Sequence, residues 1–141
     1  MKKFFALFAV ALLSLVSCGE SGDINLLDGQ WHLEEWNDEK PEFDVYIQFK
    51  KGVFDIYQQV YSLRYEHYTG TCSVNNSTLK GSYSDGSSWA CDYKFTVKGS
   101  ELILHSEESN SIKSVYKKCT IPQLVINEAT STRSGEGTPI L

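Results

Sequence analysis

Cys18 carries the clearest chemical signal in the sequence. Two lysines precede an apolar run at 4–16, and the small residue Ser17 stands directly before the cysteine. This order is typical of a bacterial lipoprotein signal, which is cleaved so that the cysteine becomes the acylated first residue. The apolar run is too short to span a bilayer. We therefore predict a signal peptide at 1–17 and a lipid anchor at Cys18, which attaches the protein to a membrane of the cell envelope, expected to be the outer membrane.

Residue types that support catalysis or metal binding are present but are not grouped. His32, His67 and His105 are far apart in the sequence, whereas a zinc site usually contains a close-spaced pair of ligands. The sequence has no Gly-x-Ser-x-Gly elbow, no glycine-rich phosphate loop and no His-Glu-x-x-His motif. We therefore expect a protein that is not an enzyme and that holds no metal and no cofactor.

The charge of the mature chain argues against a nucleic-acid partner. The sequence has 13 basic residues, two of them in the predicted signal, and 18 acidic residues, so the mature chain has a net charge of −7. Binding to a polyanion would require a basic patch, and none is visible. The negative charge also gives no attraction to anionic lipid, so membrane attachment would depend on the acyl chains of Cys18.

From Gly29 onward, apolar and polar residues alternate with the period of a β-strand. We predict eight strands, at 29–36, 43–50, 53–60, 64–74, 77–84, 89–97, 101–107 and 112–119. Short breaks such as Lys51-Gly52 and Asn75-Asn76 contain residue types that tolerate the positive φ of tight hairpin turns. Short connections require antiparallel neighbours, and closing the sheet removes both unpaired edges. The pattern therefore predicts an all-β protein, an eight-stranded antiparallel up-and-down β-barrel.

The alternation also predicts which side chains point into this barrel. They are mostly large and apolar: Trp31, Leu33, Val45, Ile47, Phe49, Phe54, Ile56, Leu79, Tyr83, Trp89, Tyr93, Phe95, Leu102, Leu104 and Tyr116. In one interpretation these side chains fill the interior and leave no cavity. In the other, one end stays open to a small ligand. The candidate ligand contacts are then Trp31, Phe49, Phe54, Tyr83, Tyr93 and Tyr116.

Four tyrosines cluster around the turn between the third and fourth predicted strands, namely Tyr57, Tyr61, Tyr65 and Tyr68. Exposed rings there could form a sugar-stacking platform or a patch for a partner protein. Cross-strand aromatic pairs that stabilise a hairpin are the simpler alternative.

Besides the acylated cysteine, three thiols remain, Cys72, Cys91 and Cys119, so at least one is unpaired within the chain. We expect Val74 to face Ser77 across a hairpin, which places Cys72 and Cys91 two strands apart. That separation is about 9 to 10 Å, whereas bridged Cα atoms lie within about 7 Å. We predict no disulfide between these two residues.

Several segments of the sequence carry a family resemblance. Gly-Gln-Trp at 29–31 opens the first strand after Leu-Leu-Asp at 26–28, and this start is similar to that of lipocalins and related calycin barrels. The segments 68–71 and 79–86, followed by Trp89, resemble the small lipocalin-like lipoproteins of Bacteroidetes. The resemblance covers most of 26–122.

The resemblance implies an up-and-down barrel and a hydrophobic or amphipathic ligand, but no activity, because fold does not determine function. The chain departs from the lipocalin pattern at one point. The last strand has no Arg to pack over Trp31, and only Lys117 and Lys118 stand there.

These observations predict four parts of the chain. The signal at 1–17 is followed by a small, polar tether at 18–25, a lipocalin-like barrel at 26–126 and a polar, aperiodic segment at 127–141, which we expect to be a disordered tail. The only helical turn expected after the signal is at 24–28.

Two functions of different classes are compatible with this organisation. In the first, a lipid-anchored barrel of the cell envelope binds a small hydrophobic or amphipathic molecule. In the second, the barrel is a scaffold for an interaction protein or inhibitor, whose loops bind an envelope protein or a glycan. The volume left inside the barrel separates the two, because a filled barrel cannot hold a ligand.

Overall fold

The computed structural model describes residues 22–108 and 110–141, so the predicted signal peptide and Cys18 lie outside the described residues. A turn of 3-10 helix, Ile24–Leu27, is followed by eight strands: β1 (Gly29–Trp36), β2 (Asp44–Lys50), β3 (Val53–Gln59), β4 (Glu66–Asn75), β5 (Thr78–Tyr83), β6 (Tyr93–Lys98), β7 (Glu101–Ser106) and β8 (Lys113–Lys118). Sequential strands pair antiparallel, and β1 also pairs with β8. The sheet therefore closes into the predicted eight-stranded barrel.

All fifteen residues predicted to point inward belong to the buried core. Their aromatic rings contact one another across the interior. Phe54 lies 5.1 Å from Trp89 and 5.6 Å from Tyr83, measured between ring centroids, and Trp89 lies 5.9 Å from Tyr93. Aromatic pairs at these distances and tilted angles pack favourably. Side chains therefore fill most of the interior.

Trp89 reaches this interior from a loop rather than from a strand. The predicted sixth strand starts at 89, but β6 starts at Tyr93, and the backbone N–H of Trp89 bonds the carbonyl of Gly81 at 2.9 Å. The indole lies directly over Gly81, where an added Cβ would be 2.1 Å from the ring. The bare backbone of Gly81 thus makes room for the largest side chain of the loop.

The hairpin between β4 and β5 differs from the prediction by one position. The turn residues are Asn76 and Ser77, with φ of 49° and 68°, and Cys72 faces Gly81. Sliding a two-residue turn by one position moves the register by two residues and leaves every side chain on the same face. Alternation alone could not distinguish these registers, so the predicted pairing of Val74 with Ser77 is wrong.

The three described cysteines, Cys72, Cys91 and Cys119, are free thiols. The predicted absence of a bond between Cys72 and Cys91 is confirmed. Burial, together with the charge of Asp28, raises the pKa of the Cys72 thiol to about 11. Because the thiolate is the reactive form, Cys72 is chemically inert near neutral pH.

The predicted disordered tail at 127–141 is instead ordered against the barrel. A short helix, α1 (Gln123–Glu128), leads into β9 (Thr130–Ser131), which pairs in parallel with β4 beyond the end of β5. The backbone N–H of Thr132 then bonds the carbonyl of His67 at 2.9 Å. Local composition did not predict the ordered conformation of 127–141, because the residues that this segment contacts are far away in the sequence. No helix in the described part of the chain has the length and apolarity to cross a bilayer.

Helix α1 covers the outside of the barrel. Ile121 and Val125 pack on Tyr57 and form a second, smaller apolar cluster. Pro122 occupies the N-cap position. The sequence predicted a helical turn only at 24–28 and did not predict α1, because six residues are too few to show a helical period.

Candidate functional site

The two ends of the barrel differ. At one end, β2–β3, β4–β5 and β6–β7 are joined by two-residue turns, and the 3-10 helix lies over the core. Trp31 Nε1 donates to the carbonyl of Leu27 at 2.8 Å, and Lys118 Nζ lies 5.3 Å from the centroid of the Trp31 ring. This is the closed end. The opposite end, which we call the mouth, is formed by the longer loops at 37–43, 60–65 and 84–92 and by the loop between β7 and β8.

The mouth contains a cavity of about 250 Å³. Its wall combines apolar and polar side chains, including Trp36, Tyr93, Ile112 and Ser114. A largely apolar wall with a few polar groups is typical of a small-molecule site, although this volume is at or below the lower end of the usual range. The cavity therefore suits the apolar part of a ligand rather than a large molecule.

One side of the cavity is formed by residues 138–141, which we call the mouth segment. Gln58 Nε2 donates to the carbonyl of Thr138 at 2.8 Å, and the N–H of Ile140 donates to Gln58 Oε1 at 2.8 Å. The hydroxyl of Tyr83 donates to the main-chain oxygen of Leu141, whose side chain is buried in the core. The mouth segment is thus bound like a ligand, through its main chain and one apolar side chain.

Gln58 is a functional candidate that the sequence interpretation missed. Its residue is 0% exposed, and it follows Phe54 and Ile56 at the inward positions of β3. A polar residue in an inward row is the signal that could have identified it. Burying an amide is costly unless its hydrogen bonds are made, and here both atoms of the amide bond the mouth segment.

Asp85 holds the chain at Ser134, shortly before the mouth segment. This carboxylate accepts from the backbone N–H of Ser134 at 3.0 Å, from the Ser134 hydroxyl, and from the N–H of Ser87 at 2.9 Å. Hydrogen bonds from Ser134 and Ser87 hold the pKa of Asp85 well below its usual range. Because these hydrogen bonds favour the charged form of Asp85, its contacts with Ser134 and Ser87 are retained at ordinary pH.

Two buried polar atoms in the described residues have no hydrogen-bond partner, Trp89 Nε1 and the hydroxyl of Tyr116. Tyr116 is fully buried, and burial raises the pKa of its hydroxyl. A buried donor without a partner is unusual, because leaving it unpaired costs free energy. Within the described residues, the Tyr116 hydroxyl is thus a buried donor without a partner.

The structure divides the six predicted ligand contacts into two groups. Tyr93 lines the cavity, and Tyr83 holds the mouth segment. The others are packed in the filled interior, namely Trp31, Phe49, Phe54 and Tyr116. Their role as ligand contacts stays a prediction for all six, and the geometry favours the first group.

The histidines of β1 and β4 belong to a row of rings on the outer face. His32, Tyr46, Tyr57 and His67 are cross-strand partners across β1 to β4. His32 stacks on Tyr46 at 4.5 Å between centroids, and His67 stacks on Tyr57 at 4.6 Å. Of the four clustered tyrosines, Tyr57 therefore makes the cross-strand pair that was the simpler alternative.

Both histidines of this row are held by carboxylates. His32 Nε2 lies 2.5 Å from Asp44 and its Nδ1 lies 2.9 Å from Glu34, while His67 Nε2 lies 2.8 Å from Asp55. Partial burial lowers the pKa of His32, but the hydrogen bonds to Asp44 and Glu34, together with the negative charges of these two residues, raise the pKa overall. Within 22–108 and 110–141, no three His, Cys, Asp or Glu side chains are placed to hold a metal ion.

Comparisons with known proteins place this architecture among solved structures. No protein-family model and no curated protein matches the sequence. A lipocalin-like protein from Bacteroides uniformis matches with a TM-score of 0.53 and 21% identity, over 67% of this chain and 99% of that one. An uncharacterised protein from Bacteroides eggerthii matches with a TM-score of 0.51 and 17% identity, over 66% and 99%. The closed antiparallel barrel and these neighbours show that this chain has a lipocalin-like fold.

Proposed function

We propose that this protein is a lipid-anchored lipoprotein of the cell envelope, without enzymatic activity, that binds a small hydrophobic or amphipathic ligand at the mouth. The observation that carries the proposal is the cavity of about 250 Å³, open at the mouth and walled by Trp36 and Tyr93.

The proposed anchor and the proposed site are compatible in space. Gly22, the first described residue, lies beside Ser77 in the turn between β4 and β5, and Ile24 lies beside Gly52 in the turn between β2 and β3. Both turns belong to the closed end. A lipid on Cys18, four residues before Gly22, would therefore hold the closed end toward the membrane and leave the mouth facing away from it.

Blocking the mouth tests the proposed site. Ala90 is exposed and lines the cavity, so Ala90→Trp fills the cavity from a loop without disturbing a strand. We expect this variant to weaken the binding of a fluorescent fatty-acid analogue at least about tenfold, which is about 1.4 kcal/mol. The assay uses the chain from residue 18 with Cys18→Ser, which contains the whole barrel.

The control is Ser100→Trp, which adds the same side chain at an exposed position of the closed end. It is expected to bind the analogue like the unsubstituted protein. Equal binding by the Ala90→Trp variant, or no binding by the unsubstituted protein, would contradict the proposed site.

A second candidate function is binding of an envelope protein or a glycan by the loops. One observation favours it: in the loop between β3 and β4, Leu63 is 95% exposed and Tyr61 is 69% exposed. Native mass spectrometry separates the two functions. A small-molecule adduct on the purified protein supports the first, whereas a partner crosslinked through this loop, without any adduct, supports the second.

A further inference from the structure

The mouth segment shows which kind of ligand the mouth recognises. Gln58 bonds the carbonyl of Thr138 and the N–H of Ile140. These groups are two residues apart, and Pro139 between them has no N–H to satisfy. One buried side chain therefore pairs with one main-chain acceptor and one main-chain donor of the segment, much as a neighbouring strand would.

Beyond Gln58, the mouth holds an apolar side chain. The Leu141 side chain is buried in the core, and the Tyr83 hydroxyl donates to the Leu141 main-chain oxygen. The adjoining cavity, next to Ile140 and Tyr93, leaves additional volume unfilled. Gln58 recognises the main chain and is therefore insensitive to side-chain identity. The apolar pocket, in contrast, selects for an apolar residue two or three positions after the residue whose carbonyl Gln58 bonds.

We propose that the mouth is a peptide-binding site for extended, apolar peptides and that residues 138–141 are a resident competitor occupying it. The inference rests on the proposed function, because it names the ligand class of the same site. A peptide enters when the mouth segment leaves Gln58 and Tyr83. The apparent affinity for the peptide is therefore lower than the intrinsic affinity, because only molecules whose mouth segment has left can bind it.

A single glycine offers a way to release the competitor. A Cβ on Gly137 would lie 2.2 Å from the hydroxyl oxygen of Tyr68, a residue 1% exposed whose hydroxyl bonds Glu66 at 2.8 Å. Gly137→Ala should therefore push the mouth segment out. Gly135, in the same stretch of chain, has nothing within 4 Å of the same position, so Gly135→Ala is the matched control.

The test measures binding of a fluorescein-labelled Thr-Pro-Ile-Leu amide by fluorescence anisotropy, using the chain from residue 18 with Cys18→Ser. We expect the Gly137→Ala variant to bind at least about tenfold more tightly than the Gly135→Ala variant. Adding Gln58→Met to Gly137→Ala, which keeps the side-chain length and removes both hydrogen bonds, is expected to abolish that gain. A Thr-Pro-Ser-Ser amide is expected to bind to none of the variants.

A second variant guards against misfolding. Leu141→Ala removes the buried side chain of the competitor without crowding Tyr68, and it too is expected to bind the peptide more tightly than the Gly135→Ala variant. The proposal is overturned if neither variant gains affinity, or if the Gln58→Met variant retains the gain. If the fatty-acid analogue binds while the peptide does not, this inference fails and the proposed function stands; if neither binds, both fail.

Discussion

At the scale of single residues, Lys118 packs over Trp31 at the closed end of the barrel. Its ammonium lies 5.3 Å from the centroid of the Trp31 ring, and its stem passes close to Gly29. A cation over an indole is attracted by the negative face of the ring. Lys118 thus lies over Trp31, where the resemblance to lipocalins implies an arginine.

We expect Lys118→Met to lower the free energy of unfolding by about 0.5–1 kcal/mol, the contribution of an exposed cation–π contact. Lys118→Arg should leave it unchanged, because arginine keeps the positive charge over the ring. Urea unfolding followed by tryptophan fluorescence measures the difference. Lys117→Met is the control, since Lys117 pairs with Glu101 on the surface at 2.8 Å and does not lie over Trp31; an equal loss in both lysine variants would contradict the role of the ring.

His32 makes the stability of the barrel depend on pH. Its pKa is raised above the ordinary value of 6.5 because the protonated ring donates to Asp44 and Glu34. A raised folded-state pKa contributes stability that is complete below the unfolded-state pKa and is lost as pH rises through the folded-state pKa. The difference in Tm between the protein and the His32→Asn variant should therefore be larger at about pH 5.5 than at about pH 8.5.

The control for this pH dependence is His105→Asn, at an exposed position of β7. Thermal melts at the two pH values should show a smaller change for this variant. A pH-independent difference between the protein and the His32→Asn variant would show that the ring stabilises only by stacking on Tyr46.

At the scale of elements, the conformation of the loop between β5 and β6 depends on the absence of a side chain at Gly81. The indole of Trp89 lies on the bare backbone of Gly81, and the same indole packs against Phe54 and Tyr93. Gly81→Ala should displace Trp89 and destabilise the protein by about 1–3 kcal/mol, as overpacking of a core typically does. Urea unfolding measures the change, and Gly135→Ala, whose Cβ meets no atom, should have little effect; equal stabilities would contradict the proposed close packing.

The strands could be predicted from the sequence because each strand buries one face. Apolar and polar residues therefore alternate along it with a period of two. The bounds of β1 were predicted to the residue, and those of the other strands within a few positions, except where Trp89 enters from a loop. The mouth could not be predicted in the same way. Gln58 bonds residues 80 or more positions away, and no local pattern encodes such a contact.

At the scale of the whole molecule, the proposed orientation, with the closed end toward the membrane and the mouth facing away, depends on the proposed acylation of Cys18. Cells fed an alkyne-tagged fatty acid should label the protein, and Cys18→Ser should abolish both the label and its recovery with membranes. Cys119→Ser, which removes a partly buried thiol after β8, should retain both. Label retained by the Cys18→Ser variant would contradict acylation at this residue.

The short strand β9 affects the tendency of the protein to self-associate. It pairs with Glu66 and His67, at the part of β4 that β5 does not reach. Without it, this stretch would present unpaired N–H and C=O groups, the template on which β-proteins stack edge to edge. Thr130 and Ser131 thus act as a seal, and a chain cut before them would be expected to self-associate into β-rich aggregates.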